Sequence, residues 1–126
     1  MGSELPSKDF GRELEARTRR FAVTIIRLSG RLPKTTEAMV VRNQLTKAGT
    51  SVGANYRAAC RGRSSADVMA RLGVVEEEAD ETMYWLELLV ESGTATEARV
   101  KDMMTEANEI VAMTVSSIKT MKAKSG

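Results

Sequence analysis

The sequence has no histidine and a single cysteine, and both shortages exclude chemistry. Without histidine, its serines and Cys60 lack the usual base that activates a nucleophile. The Glu-x-x-His pairs that complete di-iron or di-manganese sites in helical bundles cannot be made either. Cys60 alone cannot close an intramolecular disulfide. No apolar run reaches the roughly 18 to 20 residues that cross a bilayer, and the polar, proline-containing start from Met1 to Lys8 does not read as a secretory signal. Gly49 and Gly53 lack the lysine and the preceding strand of a phosphate loop. The expectation is a cytoplasmic protein with no catalytic residues, metal, cofactor or membrane partner.

Aromatic residues are also scarce, at 4% of 126 residues, whereas Ala, Leu and Met, which lose little freedom in a helix, are plentiful. This composition predicts an all-α domain. Helix 1 is expected from Asp9 to about Leu28–Arg31 on the spacing of Phe10, Leu14, Phe21, Ile25 and Leu28, and it stops at Gly30 and Pro33. Helix 2 opens at Thr35-Thr36-Glu37 and runs to about Arg61, with a seam of Val41, Leu45, Ala48, Val52, Asn55 and Ala59. Ser64 and Asp67 form a capping box for helix 3, whose seam is Val68, Leu72, Val75, Ala79, Thr82, Leu86 and Leu89 before Gly93 closes it. Helix 4 starts at Thr94 or Thr96 and carries Val100, Met104, Ala107, Val111, Thr114, Ile118 and Met121.

Short connections make these segments antiparallel neighbours, so the expected fold is an up-down-up-down four-helix bundle over residues 9–122. Residues 1–8 are expected as a disordered or tag-like start and 123–126 as a tail. Apolar or small residues beyond one seam per helix, among them Met39, Val40, Gly49, Gly53, Trp85, Met103 and Ile110, suggest self-association. The run Gly49 to Gly53 reads either as a close approach by another backbone or as a kink.

The net charge of +2 conceals a split: Met1 to Val75 holds 14 Lys and Arg against 6 Asp and Glu (+8), and Glu76 to Gly126 holds 5 against 11 (−6). In the acidic stretch Glu76 to Glu81, Glu77 and Glu81 repel at i, i+4 and call for arginines from another helix. On helix 1, Arg20, Arg27 and Arg31 fall within about 40° of one another at roughly 100° per residue, and Arg57 and Arg61 are one turn apart. With Arg42, Lys47 and Arg63 they make a candidate surface for nucleic-acid phosphates, and the preference for Arg over Lys suits bidentate contacts. The same arginines equally suit pairing with carboxylates across subunits. Gly49, Gly53, Asn55, Glu77, Glu81 and Trp85 are the candidate subunit contacts.

Leu32-Pro33-Lys34, Asn43-Gln44-Leu45, Ser51-Val52-Gly53-Ala54-Asn55 and Gly62-Arg63-Ser64-Ser65-Ala66-Asp67 together resemble the family of 23S ribosomal RNA intervening-sequence proteins, over about Phe10 to Lys122. The resemblance implies a four-helix protomer assembled as a homopentameric ring. The same family includes the accessory variability determinants of diversity-generating retroelements, so the resemblance also implies nucleic acid and a reverse transcriptase as partners. Where many members carry an Asn-Ile-Ala-Glu-Gly-like segment, this chain has Asn55-Tyr56-Arg57-Ala58-Ala59-Cys60-Arg61-Gly62, which exchanges a carboxylate for arginine-rich surface. The expected function is nucleic-acid binding, RNA or DNA, by a non-enzymatic oligomer. The alternative is a protein-interaction scaffold, such as an accessory subunit of a reverse transcriptase.

Overall fold

The computed structural model describes the backbone of residues 8–125 and the side chains of residues 11–124. The expected start of the chain and the Phe10 side chain lie outside the described residues. The helices are α1 (Lys8–Gly30), α2 (Thr36–Cys60), α3 (Ser65–Glu91) and α4 (Glu97–Ser125), so α4 runs past the expected end of the bundle at Lys122. Among the described residues there is no strand.

Local chemistry sets the boundaries. The Thr35 hydroxyl accepts the Ala38 N–H at 3.2 Å to start α2, and the Ser64 hydroxyl accepts the Asp67 N–H at 3.1 Å to start α3. Asp67 in return accepts the Arg63 N–H at 3.3 Å, which ties the α2–α3 connection down. Gly93, with φ +75°, supplies the left-handed turn after α3, and the N–H groups of Thr94 and Ala95 then reach the Leu89 carbonyl.

Neighbours in sequence are neighbours in space, and α1 closes the ring against α4 through a much thinner contact than the other three pairs make. The seam of α3 is buried residue for residue as its spacing predicts. In α2 the register differs: Asn55 is half-buried, with its amide donating to the Ser51 carbonyl at 2.8 Å, and Tyr56 is fully buried in its place. A straight helix drifts about 20° per heptad against a strict 3.5-residue repeat, enough to move the seam by one residue past Val52. In α4, Met103, Ile110 and Ser117 are buried, whereas Met104, Val111 and Ile118 are only partly so. Met103 and Ile110 are therefore core residues rather than spare outer surface.

The small segment of α2 is explained inside the protomer. Gly49 is buried, and a Cβ there would sit 2.7 Å from Cγ2 of Ile25. Gly53 lets α2 approach α1 so closely that a Cβ would lie 3.2 Å from the Thr18 carbonyl oxygen. Within the protomer, both glycines therefore face α1. Between the same helices the Ser29 and Thr46 hydroxyls hydrogen-bond at 2.8 Å.

Tyr56 is the one buried polar side chain among the described residues whose side-chain atom lacks a hydrogen bond. Burial, reinforced by nearby Cys60, pushes its phenol well above the ordinary value. A buried hydroxyl without a partner costs about 1–3 kcal/mol, so Tyr56→Phe should stabilise the fold by about 1 kcal/mol in urea unfolding at pH 7. Because the folded-state pKa is raised, the neutral phenol's contribution is complete below the unfolded value and is lost as pH rises beyond it. Wild type should therefore lose up to about 1.4 kcal/mol per pH unit above pH 10 that Tyr56→Phe does not.

Candidate nucleic-acid interface

The last turns of α2 and the first turns of α3 converge on a groove of about 740 Å³ lined by Ala54, Arg57, Ala58, Arg61, Arg63, Asp67 and Arg71. Helical spacing places Arg57 and Arg61 one turn apart on the exposed side of α2, with the alanines between them forming a low floor. The loop that carries Arg63 is held close to α3, since a Cβ on Gly62 would run into Val68. The groove holds four arginines and a single carboxylate. Asp67 is occupied on both oxygens, by the Arg63 N–H at 3.3 Å and by Arg71 Nε at 3.8 Å. The formal sum of four arginines and one aspartate is +3.

The cationic surface continues onto α1. Ala54 and Arg57 also border a smaller cleft with Glu15, Arg19 and Ala22, and Arg19 in turn borders one with Arg12, Ala16 and Arg20. Arg57, Arg61 and Arg63 are therefore brought together, and Arg20 joins them at the edge. The other basic residues singled out in the sequence are not part of this surface. Arg42 lies about 22 Å along α2 from Arg57, at 1.5 Å per residue, and its Nη1 donates to Met39 Sδ at 3.5 Å. Arg27 and Arg31 are exposed at that same far end of α1, beside the start of α2. Lys47 lies near Glu78.

Arg12, Arg19 and Arg71 are members of the surface that sequence reasoning missed. Their one signal is the arginine bias itself, because membership depends on which helices are neighbours. Arg17 was missed in a different way. Its guanidinium grips Glu106 through Nε (3.0 Å) and Nη2 (2.7 Å), and Nη2 also reaches Glu109 at 2.8 Å. This fork closes the thin α1–α4 contact, so one arginine of the basic half is spent on structure.

The acidic stretch finds no such partner among the described residues. Glu77 and Glu81 make no ion pair there, and Glu81 accepts the Trp85 indole N–H at 3.2 Å. The Glu78 carboxyl is raised above its ordinary value by burial and by neighbouring Glu81, which Lys47 only partly offsets. Trp85 packs half-buried against the core and meets Tyr84 edge-on at 4.9 Å. No cluster of acidic or cysteine side chains among the described residues is arranged to hold a metal, and no helix there is long and apolar enough to cross a membrane.

Fold and surface together define an all-α four-helix bundle that presents an arginine-lined groove at the α2–α3 end. Residues 13–116 match the family model described as 23S rRNA-intervening sequence protein. The chain belongs to that family. It is also similar to a crystal structure from Bacteroides thetaiotaomicron VPI-5482, described as a protein with unknown function from the S23 ribosomal protein family. The two are 34% identical with a TM-score of 0.80, over 84% of this chain and 98% of that one. The comparison with curated proteins finds no match.

Proposed function

We propose that this chain is a non-enzymatic, self-associating bundle that binds the phosphate backbone of nucleic acid through Arg57, Arg61, Arg63 and Arg71, with Arg19 extending the surface. The observation that carries this reading is the groove: four exposed arginines converge there with one carboxylate, although like charges repel. Arginine forks suit phosphate oxygens in pairs. No aromatic residue lines the groove, so bases have no stacking platform and the contact is with the backbone rather than the sequence.

Self-association is supported by apolar side chains left on the outside of the bundle, namely Val23, Ile26, Val40 and Tyr84, each more than 40% exposed. The ring-shaped homopentamer implied by the family resemblance is the assembly we expect, and sedimentation equilibrium measures it. Binding is tested by fluorescence anisotropy with a 20-base-pair duplex of RNA and one of DNA. If four to five phosphates are neutralised per protomer, the slope of log K against log salt should be about −4 for each engaged protomer. Affinity should barely change when the duplex sequence is scrambled. Absence of binding to either duplex at low salt by the assembled protein overturns the proposal.

A further inference from the structure

A second groove, toward the other end of α3, has the opposite electrical character. It lies between the C-terminal half of α3 and the N-terminal half of α4 and encloses about 310 Å³. Leu86 and Val100 form its buried floor, and half-buried Val90 and Met104 its walls. Glu87 and Glu91 from α3 and Glu97 from α4 stand around it, with Lys101 as the one cation, for a formal charge of −2. None of the three glutamates makes an ion pair among the described residues.

Two of these carboxylates are placed where the fold disfavours them. Glu87 and Glu91 repel at i, i+4 and occupy the last turns of α3, the negative end of its dipole, where α3 itself carries no basic residue to offset them and Lys101 of α4 is the one cation lining the groove. Glu97, in the first turn of α4, sits at a favourable end and explains itself. A ligand that relieves Glu87 and Glu91 must be cationic, and one that packs against the half-buried Val90 and Met104 must be apolar. The methionine wall can repack around such a guest.

We propose that the α3–α4 groove docks a lysine-rich amphipathic helix of a partner protein, with apolar side chains against the half-buried Val90 and Met104 and ammonium groups between Glu87 and Glu91. The groove lies about 24 Å along α3 from Arg71 (1.5 Å per residue), so the protein engages a polyanion at one end and a polycation at the other.

The test uses a fluorescein-labelled 14-residue peptide of leucine and lysine in helical register, titrated with the full-length protein. A peptide with glutamate in place of lysine is the control. The lysine peptide should bind at least tenfold tighter than the control, and Glu87→Lys with Glu91→Lys should weaken it at least tenfold while duplex binding at the arginine groove is retained. Met104→Glu should weaken it as well, through loss of the apolar wall. Equal binding of both peptides, or full binding by the Glu87→Lys/Glu91→Lys protein, overturns the proposal. So does a protein that refuses the peptide and loses assembled mass on that double change, because a second copy then occupies the groove.

Discussion

Replacing Arg57, Arg61 and Arg63 together by alanine should weaken duplex binding about 100- to 1,000-fold at 50 mM salt and flatten the log K against log salt slope by about 3. Each of these side chains is exposed and lines the groove, so each removes one phosphate partner without opening the core. The fold should notice little. Arg57 lies in the last turn of α2 and Arg61 at its cap, where a cation is worth about 0.3–1 kcal/mol to the helix. The matched control is Arg27→Ala, Arg31→Ala and Arg42→Ala, on α1, the α1–α2 turn and the start of α2, which should change affinity less than about threefold although it removes the same charge. A lysine triple at 57, 61 and 63 should keep the slope and lose part of the affinity, because an ammonium cannot grip phosphate bidentately. Equal losses from the two alanine triples would mean that net charge, not the groove, attracts the ligand.

Gly49→Leu should destabilise the protein by more than about 3 kcal/mol, lowering Tm by about 10 °C or more. A Cβ alone would stand 2.7, 2.9 and 3.0 Å from Cγ2, Cγ1 and Cβ of Ile25. Ile25 is fully buried, and its branched Cβ cannot swing aside without moving α1. Alanine recovers about 1 kcal/mol of helix propensity against an overpacking cost of about 1–3 kcal/mol, so Gly49→Ala should be mildly unfavourable; leucine adds bulk with no further recovery. Gly73 is the internal control. Nothing lies within 4 Å of a Cβ built there, and Gly73→Ala should stabilise α3 by about 0.5–1 kcal/mol in urea unfolding. A tolerated Gly49→Leu would show that α1 and α2 are not held at the separation described.

The fold was largely legible in the sequence because its signals are local. The α3 seam, the Thr35 and Ser64 caps and the Gly93 turn each depend on spacing or on one residue's chemistry. Errors arose where a helix offered two apolar choices. Met103 beside Met104 and Ile110 beside Val111 give α4 a broad apolar arc, and only the positions of α1 and α3 decide which side is buried. At Asn55 and Tyr56 a heptad template ran ahead of the true helical period.

The candidate surface was legible in part, for the same reason. Arg57, Arg61 and Arg63 are close in sequence and stay together, whereas Arg12, Arg19 and Arg71 join them only because α1 and α3 flank the end of α2. The division of labour among the arginines was not legible at all. Arg17 looks like its neighbours in the sequence, and it is the fork to Glu106 and Glu109, 89 and 92 positions away, that makes it structural.

Cys60 allows the central claim to be tested where it applies. It is the chain's single cysteine, is exposed, and sits between Arg57 and Arg61 on α2. Partial burial and the nearby Glu15 carboxylate raise its thiol pKa, so a nitroxide should be attached under mildly alkaline conditions. With the label at Cys60, the imino proton signals of a bound duplex should broaden. With the label moved to Thr36→Cys in a Cys60→Ser background, about 36 Å along α2 at 1.5 Å per residue, they should stay sharp. Broadening from position 36 and none from position 60 would place the nucleic acid at the opposite end of the bundle and contradict the account.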